Sequence, residues 1–314
     1  MINATAPDKR QYGSGSGLLP HMGLPMWYLP DWRGGLLGAD AQSGTALWDY
    51  SQVFDSVEGN TTFYGLPDAS RLSNWWQQVP DDFRFCFKLP RDITHVGDPV
   101  AAIQSRAGKE FEDFLRAIAD LGGHKLGVLM VQLPERVAVT SEDMLWRLFD
   151  AVLSMTEHCL GSRWSGSLAV ECRHRSFFMK DEAETDFLRG LADRKMDRVI
   201  FDSRGLQMDR TKTEPVLDAQ RKKPNMPVHA VATGRHPVVR FIGHSDWQQN
   251  IQGLQQWHRK LTQWQQEGRQ PFVFWHTVGN QDVPGFHRWI METFWQREVV
   301  WPGENASGQT LELW

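Results

Sequence analysis

LAVECRHRSF, residues 168–177, is the stretch that decides the fold. A short apolar run ends on Glu171, continues through Arg173 and His174, and turns into a loop. Successive side chains of a strand point to opposite faces. Leu168, Val170 and Cys172 therefore share one face, and Ala169, Glu171 and Arg173 share the other. The apolar face calls for a cover of helices, so the charged face should point to a barrel axis. The same pattern recurs along the chain. FDSVEGNTTFYG (54–65) ends in Glu58 and Asn60, FRFCFKLPRDITH (83–95) in Lys88, Arg91 and His95, and LGVLMVQLP (126–134) in Gln132. DRVIFDSR (197–204) ends in Asp202, HPVVRFIGH (236–244) in Arg240 and His244, and FVFWHTVGN (272–280) in His276 and Asn280. Seven strands that place polar residues at one end describe the mouth of a parallel β/α barrel, where active sites sit. Phe83, Phe85 and Phe87 face outward and Lys88 inward; the same alternation places Asp202, Arg240 and His276 inward.

Helical periodicity fills the intervals. It runs through ALWDYSQVF (46–54), DASRLSNWWQQV (68–79), GKEFEDFLRAIADLG (108–122), SEDMLWRLFDAVLSM (141–155, with Ser141 as cap) and EAETDFLRGLADR (182–194). Two more helices fit residues 246–266 and 283–296. The first strand, somewhere in LLPHMGLPMWY (18–28), is the weakest. Eight parallel strands alternating with helices give an α/β fold, a single TIM-barrel-like (β/α)8 domain over residues 21–298. Residues 1–20 are expected to be a flexible polar lead-in and 299–314 a polar tail. Residues 203–236 are the least regular, and a connection of this length suits a lid or binding loop. Within it, Arg221–Lys223 reads as a solvated run.

Composition narrows the function. A formal net charge of -4 disfavours a general nucleic-acid partner. No apolar stretch nears the ~20 residues of a membrane span. The three cysteines show no C-x-x-C spacing, so Cys86, Cys159 and Cys172 are expected to be reduced core residues of a cytoplasmic protein. No Walker A, G-x-G-x-x-G or G-x-S-x-G pattern occurs. Most of the fifteen tryptophans lie at helical spacing and belong to packing; Trp27, Trp32 and Tyr64 are the better stacking candidates. The pattern sets no oligomeric state.

At the strand ends the chain resembles the YecE-like family, domain of unknown function number seventy-two. FDSVEGNTTFYGLP is similar to that family's F-x-x-V-E-x-N-x-T-F-Y-x-x-P signature, and AVECRHRSF to its E-x-R-H-x-S-W strand. VPDDFRFCFKLPRDITH, LGVLMVQLP and VVRFIGH resemble further elements in the same order. Phe177 stands where the family has Trp, QLPE replaces its double proline, and Gly243 precedes His244 where His precedes Gly. The resemblance implies a TIM-barrel-like fold and brings no known reaction.

Three chemistries fit the polar set. In the first, Lys88, Arg173 and Arg240 clamp a small anionic or phosphorylated ligand. Glu58 and Glu171 then move protons with His95 and His174, while Asn60, Tyr64, Gln132 and Asp202 complete the ligand site, without a cofactor. In the second, a divalent metal sits on Glu58, Glu171, Asp202 and His174, as in a metal-dependent phosphodiesterase or endonuclease. The third is a ligand-binding barrel without turnover. The competing structural account is that these charges pair with one another to hold the barrel together.

Overall fold

The structure is a computed structural model that describes residues 19–305. Eight strands form the sheet: β1 (His21–Gly23), β2 (Ser56–Gly59), β3 (Arg84–Lys88), β4 (Leu126–Gln132), β5 (Ser167–Glu171), β6 (Asp197–Asp202), β7 (Val238–Ile242) and β8 (Phe272–His276). The helices are α1 (Ala46–Val53), α2 (Ala69–Gln78), α3 (Arg91–Thr94), α4 (Pro99–Ile103), α5 (Arg106–Asp120), α6 (Glu142–Leu160), α7 (Glu182–Asp193), α8 (Arg204–Met208), α9 (Glu214–Lys222), α10 (Ile251–Gln266), α11 (Val283–Ile290) and α12 (Pro302–Asn305). Every strand pair is parallel, in the order β1-β8-β7-β6-β5-β4-β3-β2. The expected TIM-barrel-like fold is the one observed.

Closure falls between β1 and β2, at the strand with the weakest signal in the sequence. It has three residues, and its link to β2 is made largely by side chains. Asp55 accepts the Met22 N–H at 2.8 Å. The Tyr50 hydroxyl accepts the Leu24 N–H and donates to the Ser56 carbonyl, at 2.8 and 2.9 Å. The Glu58 N–H reaches the Leu24 carbonyl at 3.0 Å. Gly23 permits this approach, since a Cβ there would lie 2.2 Å from the Ser56 oxygen.

Two apolar layers follow from strand alternation. The outer one packs Phe85, Phe87, Leu168, Val170 and Cys172 against the helices, and includes Trp257 and Trp264 of α10. The inner one, on the barrel axis, is formed by Cys86, Val128, Met130, Ala169, Val199, Val238, Phe272 and Phe274. All three cysteines are free and buried. Burial pushes the thiols of Cys86 and Cys172 up to about 12.

Some expectations are corrected. The Ser141 side chain does not cap α6; the residue closes a 3-10 turn, Val139–Ser141. Within the expected tail, Trp301 and Glu304 pack against α11. Arg288 lies over the Trp301 ring at 3.5 Å and pairs with Glu304 at 2.7 Å. Residues 1–18 of the lead-in and 306–314 of the tail lie outside the described residues. Among the described residues no helix is long and apolar enough to cross a membrane.

Candidate functional site

One pleat beyond the inner apolar layer, toward the carboxyl ends of the strands, the axis-facing residues become polar. They are Glu58 from β2, Lys88 from β3, Gln132 from β4, Glu171 from β5, Arg240 from β7 and His276 from β8. All six are buried, yet all are hydrogen-bonded or ion-paired. Arg240 is the hub. Its Nε and Nη2 donate to the two Glu58 oxygens at 2.8 Å each, and its Nη1 donates to Glu171 Oε2 at 2.6 Å. Phe201 supports it from beneath, with the guanidinium 5.1 Å from the ring centroid. The Lys88 ammonium donates to Gln132 Oε1 at 3.0 Å and lies 3.5 Å from Glu58. Arg173 closes the rim by donating from Nε to Glu171 Oε1 at 2.7 Å. His276 Nε2 donates to Glu58 Oε2 across 3.2 Å.

These contacts fix the protonation states. Burial pushes both glutamates up, but Arg240 and the other cations outweigh it and hold both carboxyls well below the ordinary value. Burial lowers Lys88 to about 8, Arg240 adding repulsion that the glutamates only partly offset. Burial likewise holds His276 down at about 4, so its ring is neutral at pH 7.

Lys223 belongs to this cluster and was missed in the sequence. It ends α9 in the β6–β7 connection, and its amide donates to the Ala219 carbonyl at 2.9 Å. Ser203, just past β6, donates to the neighbouring Pro224 carbonyl at 2.8 Å, which ties the segment to the barrel rim. Burial first, then repulsion from Arg240, lowers the Lys223 ammonium to about 8, while Glu58 and Glu171 act in the other direction. Among the described residues no ion pair or hydrogen bond holds that ammonium. The solvated run expected at Arg221–Lys223 thus fits Lys222, paired with Asp218 on the surface, and not Lys223. No periodic signal in a Lys/Arg triplet tells which member turns inward.

Other expected residues divide. His95 is half-buried at the rim, with Nδ1 2.9 Å from the Thr94 hydroxyl. Burial, then the field of Arg173, pushes it down to about 4. Asn60 and Tyr64 line a cavity of about 850 Å³ beside β1 and β2, and Glu58 lines it too. His174 is turned away into a local cap, where Nδ1 accepts the Ser176 N–H at 3.2 Å. Trp32, a stacking candidate, is buried, and its Nε1 donates to the Asn280 carbonyl at 3.0 Å.

Asp202 is the clearest correction. Val199 and Phe201 face the axis, so Asp202 faces the helices. Its carboxylate accepts from Trp257 Nε1 at 2.7 Å and Arg204 Nη2 at 2.8 Å, which pins α10 to β6. The metal set of Glu58, Glu171, Asp202 and His174 is therefore not assembled. Among the described residues no group of three His, Cys, Asp or Glu has a geometry that could hold a metal ion.

The family model described as "Protein of unknown function DUF72" matches residues 21–307. The chain belongs to the DUF72 family. It is 37% identical over 277 residues to the UPF0759 protein YecE of Escherichia coli strain K12, covering 88% of this chain and 91% of that protein. DUF72 proteins of known structure share the barrel. The one from Enterococcus faecalis V583 superposes with a TM-score of 0.61 at 19% identity, covering 89% of this chain and 98% of that one. The one from Thermotoga maritima MSB8 gives 0.57 at 17% identity, covering 85% and 96%. These likenesses show the fold.

Proposed function

We propose that this DUF72 barrel binds a small anionic or phosphorylated ligand at its mouth and carries out acid/base chemistry there without a metal. One observation carries the proposal: four cations, Lys88, Arg173, Lys223 and Arg240, face only two carboxylates, Glu58 and Glu171. Charge beside a buried network is costly unless paired, and because Arg173 and Lys223 are only half-buried, the surplus of two positive charges stands where an anion can reach it. A network that served only to hold the barrel together would balance. Arg240 already spends its donors on both glutamates, so the groups left to grip an oxyanion are Arg173, which has a single partner, Lys88 and Lys223.

The division of labour differs from the one the sequence suggested. Glu58 and Glu171, locked as carboxylates by Arg240, set the field and the geometry. Lys88 and Lys223, both at about 8, can gain and lose a proton near neutral pH, which is what a general acid or base requires. Three free buried cysteines fit a cytoplasmic setting.

The test is titration calorimetry with inorganic phosphate, with and without chelator, on the native chain and on Arg173→Ala. Saturable binding that survives the chelator and weakens about tenfold or more in the variant supports the proposal. Absence of binding to phosphate, sulfate and small carboxylates alike would overturn it.

A further inference from the structure

The cavity beside β1 and β2 borders the charge cluster through one residue, Glu58, which lines it and whose fully buried carboxylate is gripped by Arg240. At about 850 Å³ it has the size of a small-ligand site. Its walls have two characters. Trp27 and Trp75 meet edge to face at a centroid distance of 4.9 Å, forming a rigid aromatic side. Tyr64 stands at the cavity with 74% of its surface exposed, braced edge-on by Phe63 at 5.2 Å. An aromatic ring held rigidly yet left in water is a stacking platform.

The polar groups of the cavity are oriented but not saturated. Asn60 and Asn74 are pinned through their amide nitrogens, which donate to the Pro25 and Gly44 carbonyls at 2.9 and 3.1 Å. Their side-chain oxygens have no partner among the described residues. Asp68 spends one oxygen as the cap of α2, accepting the Arg71 N–H at 2.7 Å, and the other has no partner among the described residues. The Arg71 guanidinium also has no partner among the described residues. The cavity thus offers both acceptors, the Asn60, Asn74 and Asp68 oxygens, and donors, the Arg71 guanidinium, and the matching ligand carries hydroxyls, which donate and accept at once.

We infer that this cavity is the subsite for the ring of a monosaccharide whose phosphate or carboxylate sits on the neighbouring cations. The C–H face of the sugar would lie on Tyr64, and its hydroxyls would donate to Asn60, Asp68 and Asn74. Arg71 would meet a ring or hydroxyl oxygen. The inference rests on the anion-binding proposal and adds the chemical class of the ligand.

The experiment compares four probes by calorimetry: inorganic phosphate, glycerol 3-phosphate, ribose 5-phosphate and glucose 6-phosphate. The expected result is that a ring phosphate binds at least about tenfold more tightly than the acyclic glycerol 3-phosphate. Tyr64→Ala, an exposed position that should leave the melting temperature unchanged, should remove most of that gain and leave phosphate affinity as it was. Asp68→Asn should also reduce the gain while keeping a cap for α2. Phosphate binding with no advantage for either ring overturns the subsite and leaves the anion site standing. A ring advantage that survives both substitutions places the sugar elsewhere and overturns it too. No binding of any probe sinks both proposals.

Discussion

The protein buries two arginines in ion clusters on neighbouring strands, and the clusters are built to different ends. Arg198 of β6 faces the helix layer. Its Nη1 donates to Glu184 at 2.9 Å, its Nη2 to the Phe177 carbonyl at 2.9 Å, and its guanidinium lies 4.5 Å from the Phe178 ring centroid. Glu184 is further satisfied by His229 at 2.7 Å and the Lys180 N–H at 2.8 Å. One cation meets one carboxylate, backbone groups complete the set, and the result fastens α7 and its flanking loops to the sheet. Arg240 of β7 faces the axis, holds two carboxylates, and is crowded by three further cations beside an open cavity. Burial of an ion pair is thus not what marks a site. Unbalanced charge with access to solvent is what separates the second cluster from the first.

The comparison can be broken at either cluster. Arg240→Met would take the guanidinium from two buried carboxylates at once, leaving Glu58 to Lys88 and His276 and Glu171 to Arg173, and urea unfolding should show a loss of roughly 5 kcal/mol, the largest effect expected. Adding Glu58→Gln alone should recover part of that stability, since it removes one of the two deprived carboxylates while Lys88 keeps Gln132 and Arg173 keeps Glu171. Arg198→Met should cost roughly 3 kcal/mol, because it deprives one carboxylate rather than two, and it should leave phosphate affinity untouched. A loss of phosphate binding in Arg198→Met would erase the distinction between the clusters. Lys223→Met should alter stability by no more than about 1 kcal/mol while weakening phosphate binding about tenfold, with Lys222→Met as the silent control. Equal affinity in both variants would remove Lys223 from the site.

A pH dependence with opposite signs for stability and binding tests the two lysines together. Lys88 and Lys223 sit at about 8 in the folded protein against an ordinary 10.5. Between those values the unfolded chain holds more protons, so stability should rise from about pH 8 to about 10.5. Anion affinity should fall across the same interval as the ammoniums discharge. Affinity that stays level to pH 10 would show that neither lysine touches the anion.

Much of this was legible in the chain because a parallel strand covered by helices alternates with period two. That period turned LAVECRHRSF and FRFCFKLPRDITH into statements about Glu171, Arg173 and Lys88, and the structure places all three in the network. It failed at Asp202 because DRVIFD is apolar on both faces in its middle, so nothing local shows whether Ile200 or Phe201 looks inward. It could not reach Lys223, which arrives through a connection without period and is positioned by contacts such as Ser203 with Pro224.

The sequence by itself determined the barrel, the end at which polar residues gather, and most of the residue types in the site, since each depends on spacing along one strand. Tertiary structure alone decided which charges pair, which cation is left unmatched and which cavity they border. Those outcomes depend on distances between side chains as far apart in sequence as Glu58 and Arg240, and the field between charges is set by separation in space and by burial rather than by order along the chain.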